Sequence, residues 1–413
     1  MNNMNTQQNT GFFGLGIAPR ILEVLQKLGY VTPTPIQTKS IPTTVEGKDI
    51  VGIAQTGTGK TLAFGIPMIQ RLASSTGKGL VLLPTRELAV QVEEELKKIG
   101  NPLGLRTAVL IGGAPMWPQK QALKRNPHIV IATPGRLYDH MEQRTLQLGA
   151  VSILVLDEAD RMLDMGFLPQ IKRIVEAVPK ERQTMLFSAT LSSDIMRIAS
   201  SYMKLPIRIE VAPAGTTVEQ VTQELFVVGK DDKQRLLEKI LLQYKGSTLV
   251  FLRTKYGARR LARAIKAMGH TAAEMHSERS LSQRKEALEG FKVGKYRVLV
   301  ATDIMARGID VKGIELVVNF DLPMRAEDYV HRIGRTARAG QAGYAISFAT
   351  PDQRKEVREI ERFIRKPLSI SPLSDLPPAR FTEKAPSAPR PRFAGARQRS
   401  RPFSRYPRGR RAS

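Results

Sequence analysis

Along this chain, short runs of apolar and β-branched residues alternate with stretches in which apolar positions recur at helical spacing. Strand-like runs fall at 50–53, 79–83, 107–111, 128–132, 152–156 and 184–187, and helical periodicity marks 18–28, 62–72 and 87–99. Strands alternating with helices predict a mostly parallel α/β sheet, whose ligands sit outside the carboxyl ends of the strands. Polar clusters occupy those ends: Pro84-Thr85-Arg86, Gly112-Gly113, Thr133-Pro134-Gly135-Arg136, Asp157-Glu158-Ala159-Asp160 and Ser188-Ala189-Thr190. The rhythm pauses at 211–217, VAPAGTT, a linker signal. It resumes with strand-like runs at 224–228, 247–252, 271–275, 297–301, 316–320 and 343–349, which mark a second α/β domain of similar size.

Composition adds ends and a partner to this picture. At 413 residues the chain exceeds one ordinary core. Residues 1–11, rich in Asn, Gln and Thr, predict a disordered N-terminus, and 367–413, rich in Pro, Arg and Ser, predict a disordered basic tail. The domains are thus expected at 12–210 and 218–366, joined by 211–217. A formal net charge of +26 and a pI near 10.4 call for a polyanionic partner, because Lys and Arg on phosphates release counterions. Cysteine is absent, so disulfides and thiolate metal sites are excluded. The N-terminus lacks the charge and apolar run of a secretion signal, and no apolar run approaches membrane-spanning length; a cytoplasmic protein is the expectation.

The chemistry centres on 50–61, IVGIAQTGTGKT. A buried strand breaking into a glycine loop at a helix N-terminus aims several N–H groups and a helix dipole at one spot, which suits nucleotide phosphates. Lys60 would reach the β and γ phosphates and the Thr61 hydroxyl would bind Mg²⁺, although the first position of the strict loop pattern is Ala54 where glycine is usual. The second domain has no such loop, so one nucleotide is expected between the two. Asp157 and Glu158 close a strand about a hundred residues later, where Asp157 would hold the metal and Glu158 would polarise the attacking water. Phosphoryl transfer also needs cations at the γ phosphate, and 331–338, HRIGRTAR, supplies Arg335 and Arg338. Upstream, the prolines of GYVTPTPIQ are expected to hold the segment extended and present Gln37, whose amide can pair with an adenine edge. By itself Gln37 reads rather as an ordinary loop glutamine.

Taken in order from Phe12 to Ala349, these pieces resemble a DEAD-box RNA helicase of superfamily 2: Phe12, a segment ending at Gln37, AQTGTGKT, PTRELA, Gly112-Gly113, TPGR, DEAD, SAT, LVF at 249–251, TDIMARGID at 302–310 and HRIGRTAR. Each motif is weak and the ordered set is specific. The family uses Ala at the position of Ala54, and the short tail is closest to its bacterial RhlE-like subgroup. The resemblance implies two tandem RecA-like domains and a monomeric ATP-dependent helicase with ATP and Mg²⁺. Its nucleotide would be held by Phe12, Gln37, Ala54, Gln55, Thr56, Gly57, Thr58, Gly59, Lys60, Thr61, Gly308 and Asp310, the last on the ribose. Ser188, Ala189, Thr190 and His331 would couple hydrolysis to the domain interface, with Arg335 and Arg338 as arginine fingers. RNA would lie on Pro84, Thr85, Arg86, Gly113, Thr133, Pro134 and Arg136 of the first domain and on Arg284 and Thr302 of the second. One position departs from the family: Leu281 stands where Gln is usual three residues before Arg284, which implies a weakened backbone contact there.

Two other readings remain at this level, a DNA-directed motor of the same superfamily and an RNA chaperone acting mainly through its tail. Lys60, Glu158, Arg335 and Arg338 count against the chaperone, since a pure binder has no use for them. Phosphate contacts alone do not separate RNA from DNA, and the sequence leaves open whether ribosomal or RNA-decay assemblies are served.

From Lys366 the tail carries twelve Lys and Arg against Asp375 and Glu383, a surplus of ten in the total of +26, interleaved with Phe393, Phe403 and Tyr406. Arginine with occasional aromatics suits sequence-tolerant single-strand binding. Truncation after Lys366 is therefore expected to spare the unstimulated ATPase, weaken RNA affinity and flatten its salt dependence. Titrations at several salt concentrations check this; identical affinity and slope would reduce the tail to a solubilising extension.

Overall fold

The computed structural model describes residues 11–55, 57–211, 221–303, 311, 313–337 and 343–372. The strand-like runs pair into two sheets in which every ladder is parallel. The first contains β1 (Ile50–Ile53), β2 (Lys78–Leu82), β3 (Thr107–Leu110), β4 (Ile129–Ala132), β5 (Val151–Leu156), β6 (Gln183–Ser188) and β7 (Ile207–Glu210), in the order β3-β4-β2-β5-β6-β1-β7. The second contains β8 (Val221–Val227), β9 (Thr248–Leu252), β10 (Ala272–Met275), β11 (Val298–Thr302), β12 (Leu316–Asn319) and β13 (Gly343–Ala349), in the order β10-β11-β9-β12-β13-β8. Strands β1, β4, β6, β9 and β12 bury every residue. Parallel strands covered on both faces read as continuous apolar runs for this reason.

Helices on both faces make those covers. In the first domain they are α1 (Pro19–Lys27), α2 (Pro35–Val45), α3 (Lys60–Ala73), α4 (Arg86–Gly100), α5 (Met116–Lys124), α6 (Pro134–Glu142), α7 (Ala159–Asp164), α8 (Leu168–Ala177) and α9 (Ser193–Tyr202). In the second they are α10 (Lys233–Gln243), α11 (Lys255–Ala267), α12 (Leu281–Lys292), α13 (Ala326–Ile333) and α14 (Arg354–Ile364). One apolar cluster of the first domain packs α1 to α4 against the sheet, and a second packs α6 to α9 against the other face. No helix among the described residues is long and apolar enough to cross a membrane.

Three local readings change. The segment carrying Gln37 is helical and not extended: Pro35 is the first residue of α2 and Thr34 its extended cap. Proline at a helix start replaces an N–H that has no partner there, so the prolines initiate the helix. Strand β7 was not legible because only Ile209 of its four residues is buried; an edge strand has no apolar run to show. The third change is at the expected tail boundary. Leu368 is buried at 6% exposure, the Leu225 N–H donates to the Ser369 carbonyl (3.0 Å), and the Ser371 N–H donates back to the Leu225 carbonyl (2.9 Å). Residues 367–371 thus extend the second sheet beyond β8, and only 373–413 of the expected tail lie outside the described residues.

A chain ending at Lys366 loses this segment, whereas one ending at Pro372 keeps it. Burying a leucine side chain is worth roughly 1.5–3 kcal/mol, so the shorter protein is expected to unfold at lower urea. Equal midpoints would show that 367–371 contribute nothing to stability.

Candidate active site

The functional clusters converge as the α/β topology requires, at the carboxyl ends of the first sheet. The phosphate loop leaves β1 with Gly57 at φ 88° and Gly59 at φ 90°. A Cβ at Gly59 would also stand 2.4 Å from the Gln37 Nε2, so glycine is needed twice over where the loop turns into α3. Lys60, the first residue of α3, is 5% exposed, and its Nζ lies 2.8 Å from the Glu158 Oε1 and 3.8 Å from the Asp157 Oδ1. Burial works against its charge, yet the two carboxylates outweigh burial and hold the ammonium above its ordinary pKa.

The two acids are set apart by the same cation. Burial also works against charge on Glu158, but Lys60 brings its carboxyl down to about 2, helped by Arg161 and by His331 from the second domain. Asp157 lies farther from Lys60 and beside the Glu158 charge, and burial pushes it up to about 6. Glu158 adopts the left-handed backbone conformation (φ 54°, ψ 48°), which costs a non-glycine residue on the order of 1 kcal/mol. Its N–H donates to the Asp157 Oδ1 at 2.9 Å, which locks the two acids into one turn.

Asp160, the last acid of the cluster, had no assigned role from sequence. Its Oδ2 accepts from the N–H groups of Ala189 (3.1 Å) and Thr190 (3.0 Å) and from the Thr190 hydroxyl (3.0 Å). The acidic turn and the Ser188-Ala189-Thr190 turn are therefore one hydrogen-bonded unit. Ser188 accepts the Ala54 N–H at 2.9 Å through its carbonyl, tying that unit to the phosphate loop. Gln37 is part of the same frame: its Oε1 accepts from the Thr34 N–H (2.9 Å) and its Nε2 donates to the Gly59 carbonyl (3.0 Å). Phe12 is 3% exposed in the first domain's core, while its neighbour Phe13 is 59% exposed.

The second domain brings its arginine-rich turn to this cleft. Arg335 is buried, with its Nε donating to the His331 carbonyl at 3.1 Å. Arg332, passed over by sequence reasoning, is an anchor. Its Nε and Nη2 donate to the two Asp303 carboxylate oxygens (2.5 and 2.7 Å), its Nη1 donates to the Asn319 Oδ1 (3.1 Å) and the Asp321 carbonyl (2.6 Å), and its guanidinium lies 5.0 Å over the Phe251 ring. Thr56, Gly308, Asp310 and Arg338 lie outside the described residues.

Ion pairs cross between the domains, among them Arg284 with Glu87 at 3.0 Å and Arg325 with Asp164. Arg284, expected on an RNA backbone, has its guanidinium buried against Glu87, the residue after Arg86 in PTRELA. Leu281, where a glutamine was expected, packs on the apolar core of the first domain. An apolar side chain suits that environment and an amide does not.

The remaining residues assigned to RNA gather beside the cleft. Thr85 and Thr133 cap α4 and α6, so both helices start there. Gly113 (φ 68°) lies so close to the Arg86 guanidinium that a Cβ would meet it, and the Arg136 Nη1 donates to the Ala114 carbonyl at 3.0 Å. Helix starts, glycine and guanidinium groups are the chemistry that phosphate binding uses. Thr302 stands apart, in a cleft of about 630 Å³ between the domains with Thr254, Ser277 and Arg161.

Residues 34–198 match the DEAD/DEAH box helicase family and residues 232–340 the helicase conserved C-terminal domain. The DEAD-box ATP-dependent RNA helicase CshA of Geobacillus kaustophilus is 43% identical over 86% of this chain and 77% of its own length. The corresponding Listeria monocytogenes and Bacillus cereus proteins also carry the name CshA, where the sequence had suggested an RhlE-like grouping. Among solved structures, S. cerevisiae Dbp5 bound to RNA and ADP BeF3 superposes with a TM-score of 0.79 at 29% identity, covering 87% of this chain and 95% of that one. A DEAD box protein from Methanococcus jannaschii is more similar in sequence, at 37%, yet superposes less well, at 0.52, over 88% of this chain and 99% of that one. The chain belongs to the DEAD-box family of ATP-dependent RNA helicases.

Proposed function

We propose that this helicase hydrolyses ATP slowly until RNA draws the two domains together, and that it uses the cycle to open short duplexes locally or remodel ribonucleoprotein. The observation that carries the reading is the division of the site: Lys60, Asp157 and Glu158 are on the first domain and His331 and Arg335 on the second, facing one cleft.

The phosphate loop and Lys60 bind the nucleotide's phosphates, with Gln37 at the adenine end, held by the Gly59 carbonyl. Lys60 then turns from Glu158 to phosphate. Without its cation Glu158 regains basicity and can orient and deprotonate the attacking water. The donor set fits Mg²⁺: Asp157 is a buried carboxylate 3.8 Å from the Lys60 Nζ, and Thr61, a hydroxyl donor, follows Lys60 at the start of α3. No cluster of three metal-ligating side chains exists among the described residues, which suits an ion that takes few protein ligands and the rest from water and phosphate. When bound it neutralises charge on the β and γ phosphates. Arg335, with Arg338 beside it in sequence, supplies positive charge to the transferring phosphoryl group once the cleft is shut. The bonds from Asp160 to Thr190 carry the state of the acidic turn to the domain interface.

Glu158→Gln is expected to keep nucleotide affinity and to lower turnover by at least about 10²-fold, while Arg335→Ala lowers it by on the order of 10³-fold. Nucleotide binding and steady-state hydrolysis measured on both proteins check the assignments, and near-normal turnover in either would remove that residue from its role. Hydrolysis by the intact protein is expected to be slow alone and stimulated by single-stranded RNA. Equal stimulation by DNA of the same sequence would favour the DNA-motor reading.

A further inference from the structure

Between Glu95 and Asp139 the chain carries no Asp or Glu, and seven Lys and Arg. Lys97, Lys98 and Arg136 are paired with acids at the ends of this stretch. Arg106, Lys120, Lys124 and Arg125 have no carboxylate partner among the described residues. The middle of the stretch is α5, which follows the Gly112-Gly113 loop. Gln119 fastens the helix to that loop: its Oε1 accepts from the Ile111 N–H (3.0 Å), and its Nε2 donates to the carbonyls of Ile111 (3.1 Å) and Pro115 (3.1 Å). With Gln119 buried and Leu123 packed on the core, the opposite face presents positions 117, 120 or 121, and 124. These are Trp117, Lys120 or Gln121, and Lys124. Trp117 is 69% exposed, is held at the helix start by the following Pro118, and is the only tryptophan in the chain.

We propose that Trp117 is a stacking platform for a base of single-stranded RNA, extending the surface formed by Arg86, Gly113 and Arg136. The inference rests on the RNA reading given above. An exposed indole beside unpaired lysines, in an acid-free segment continuous with a phosphate-binding loop, is the combination that holds single strands without sequence preference: the cations track the backbone and the ring takes whichever base passes. A lone exposed apolar residue needs no explanation; its rigid attachment through Gln119 and Pro118 and the one-signed charge around it are what point to a nucleic acid.

Because Trp117 is the sole indole, its fluorescence reports on the site directly. Titration of the full-length protein with unlabelled single-stranded oligouridylates of increasing length, in the presence of a non-hydrolysable ATP analogue, is expected to quench the emission only once the strand reaches past the Gly113 loop. Trp117→Ala is expected to weaken binding of the longer strands about fivefold, with Trp117→Phe close to the parent protein and unstimulated ATPase equal in all three. Strands that bind with unchanged emission, and with equal affinity for the Ala variant, would overturn the proposal while leaving RNA binding intact. Strands that do not bind at all would instead refute the RNA reading on which it rests. Quenching by vesicles of anionic lipid but not by RNA would assign the face to a membrane and equally overturn the proposal.

Discussion

The buried ammonium of Lys60 is the constraint on which the site depends. A charge almost out of water is costly without a partner, by several kcal/mol, and here its partners are Glu158 at 2.8 Å and Asp157 at 3.8 Å. That pairing requires the phosphate loop and the acidic turn to face each other, and the parallel order of β1, β6 and β5 puts them there. It also brings the Glu158 carboxyl down to about 2, where it is a poor base. On the proposed reading, arrival of a polyphosphate offers Lys60 a stronger partner and returns basicity to Glu158. One salt bridge then satisfies the buried charges of the idle site and frees a base in the occupied one.

The second constraint is that half of the needed charge is elsewhere. Arg335 and His331 reach the cleft only through the placement of the second domain, to which the buried Arg284–Glu87 pair, the Arg325–Asp164 pair and Leu281 on the first domain's core contribute. Glu87 lies beside Arg86, so the surface proposed to meet RNA and the strut that holds the domains together share one turn of α4. On the proposed reading, a strand bound at Arg86 and Gly113 meets the turn that carries the Arg284–Glu87 pair. Leu281 shifts this balance toward apolar burial, which weakens less with salt than the flanking ion pairs do.

The two sheets were legible because parallel strands are buried on both faces and print as apolar runs, with polar clusters at their ends; residues 212–217 of the expected linker lie outside the described residues. Strand β7 escaped because an edge strand with one buried residue prints nothing, and α2 because a proline-rich run reads as extended until one proline is seen to start a helix. Phe12 was legible as an isolated aromatic, but its burial beside an exposed Phe13 was not. Asp160, Arg332 and Glu87 were missed for a common reason: their work is to hold other residues, and a hydrogen bond to a distant turn leaves no mark in local spacing. The pairing of Arg284 with Glu87 was not legible either, since the partner lies on the other domain and nothing in local spacing points to it.

The central claim is that closing the cleft builds the site. Cysteine is absent from the chain, so Glu94→Cys on the first domain and Arg263→Cys on the second, both exposed, give a uniquely labelled pair for pulsed electron spin resonance. Distances measured without ligand, with an ATP analogue, with RNA, and with both are expected to be broad in the first three states and to collapse to one population, at the separation seen in this structure, in the fourth. A single unchanged distribution in all four states, alongside an ATPase still stimulated by RNA, would contradict the account.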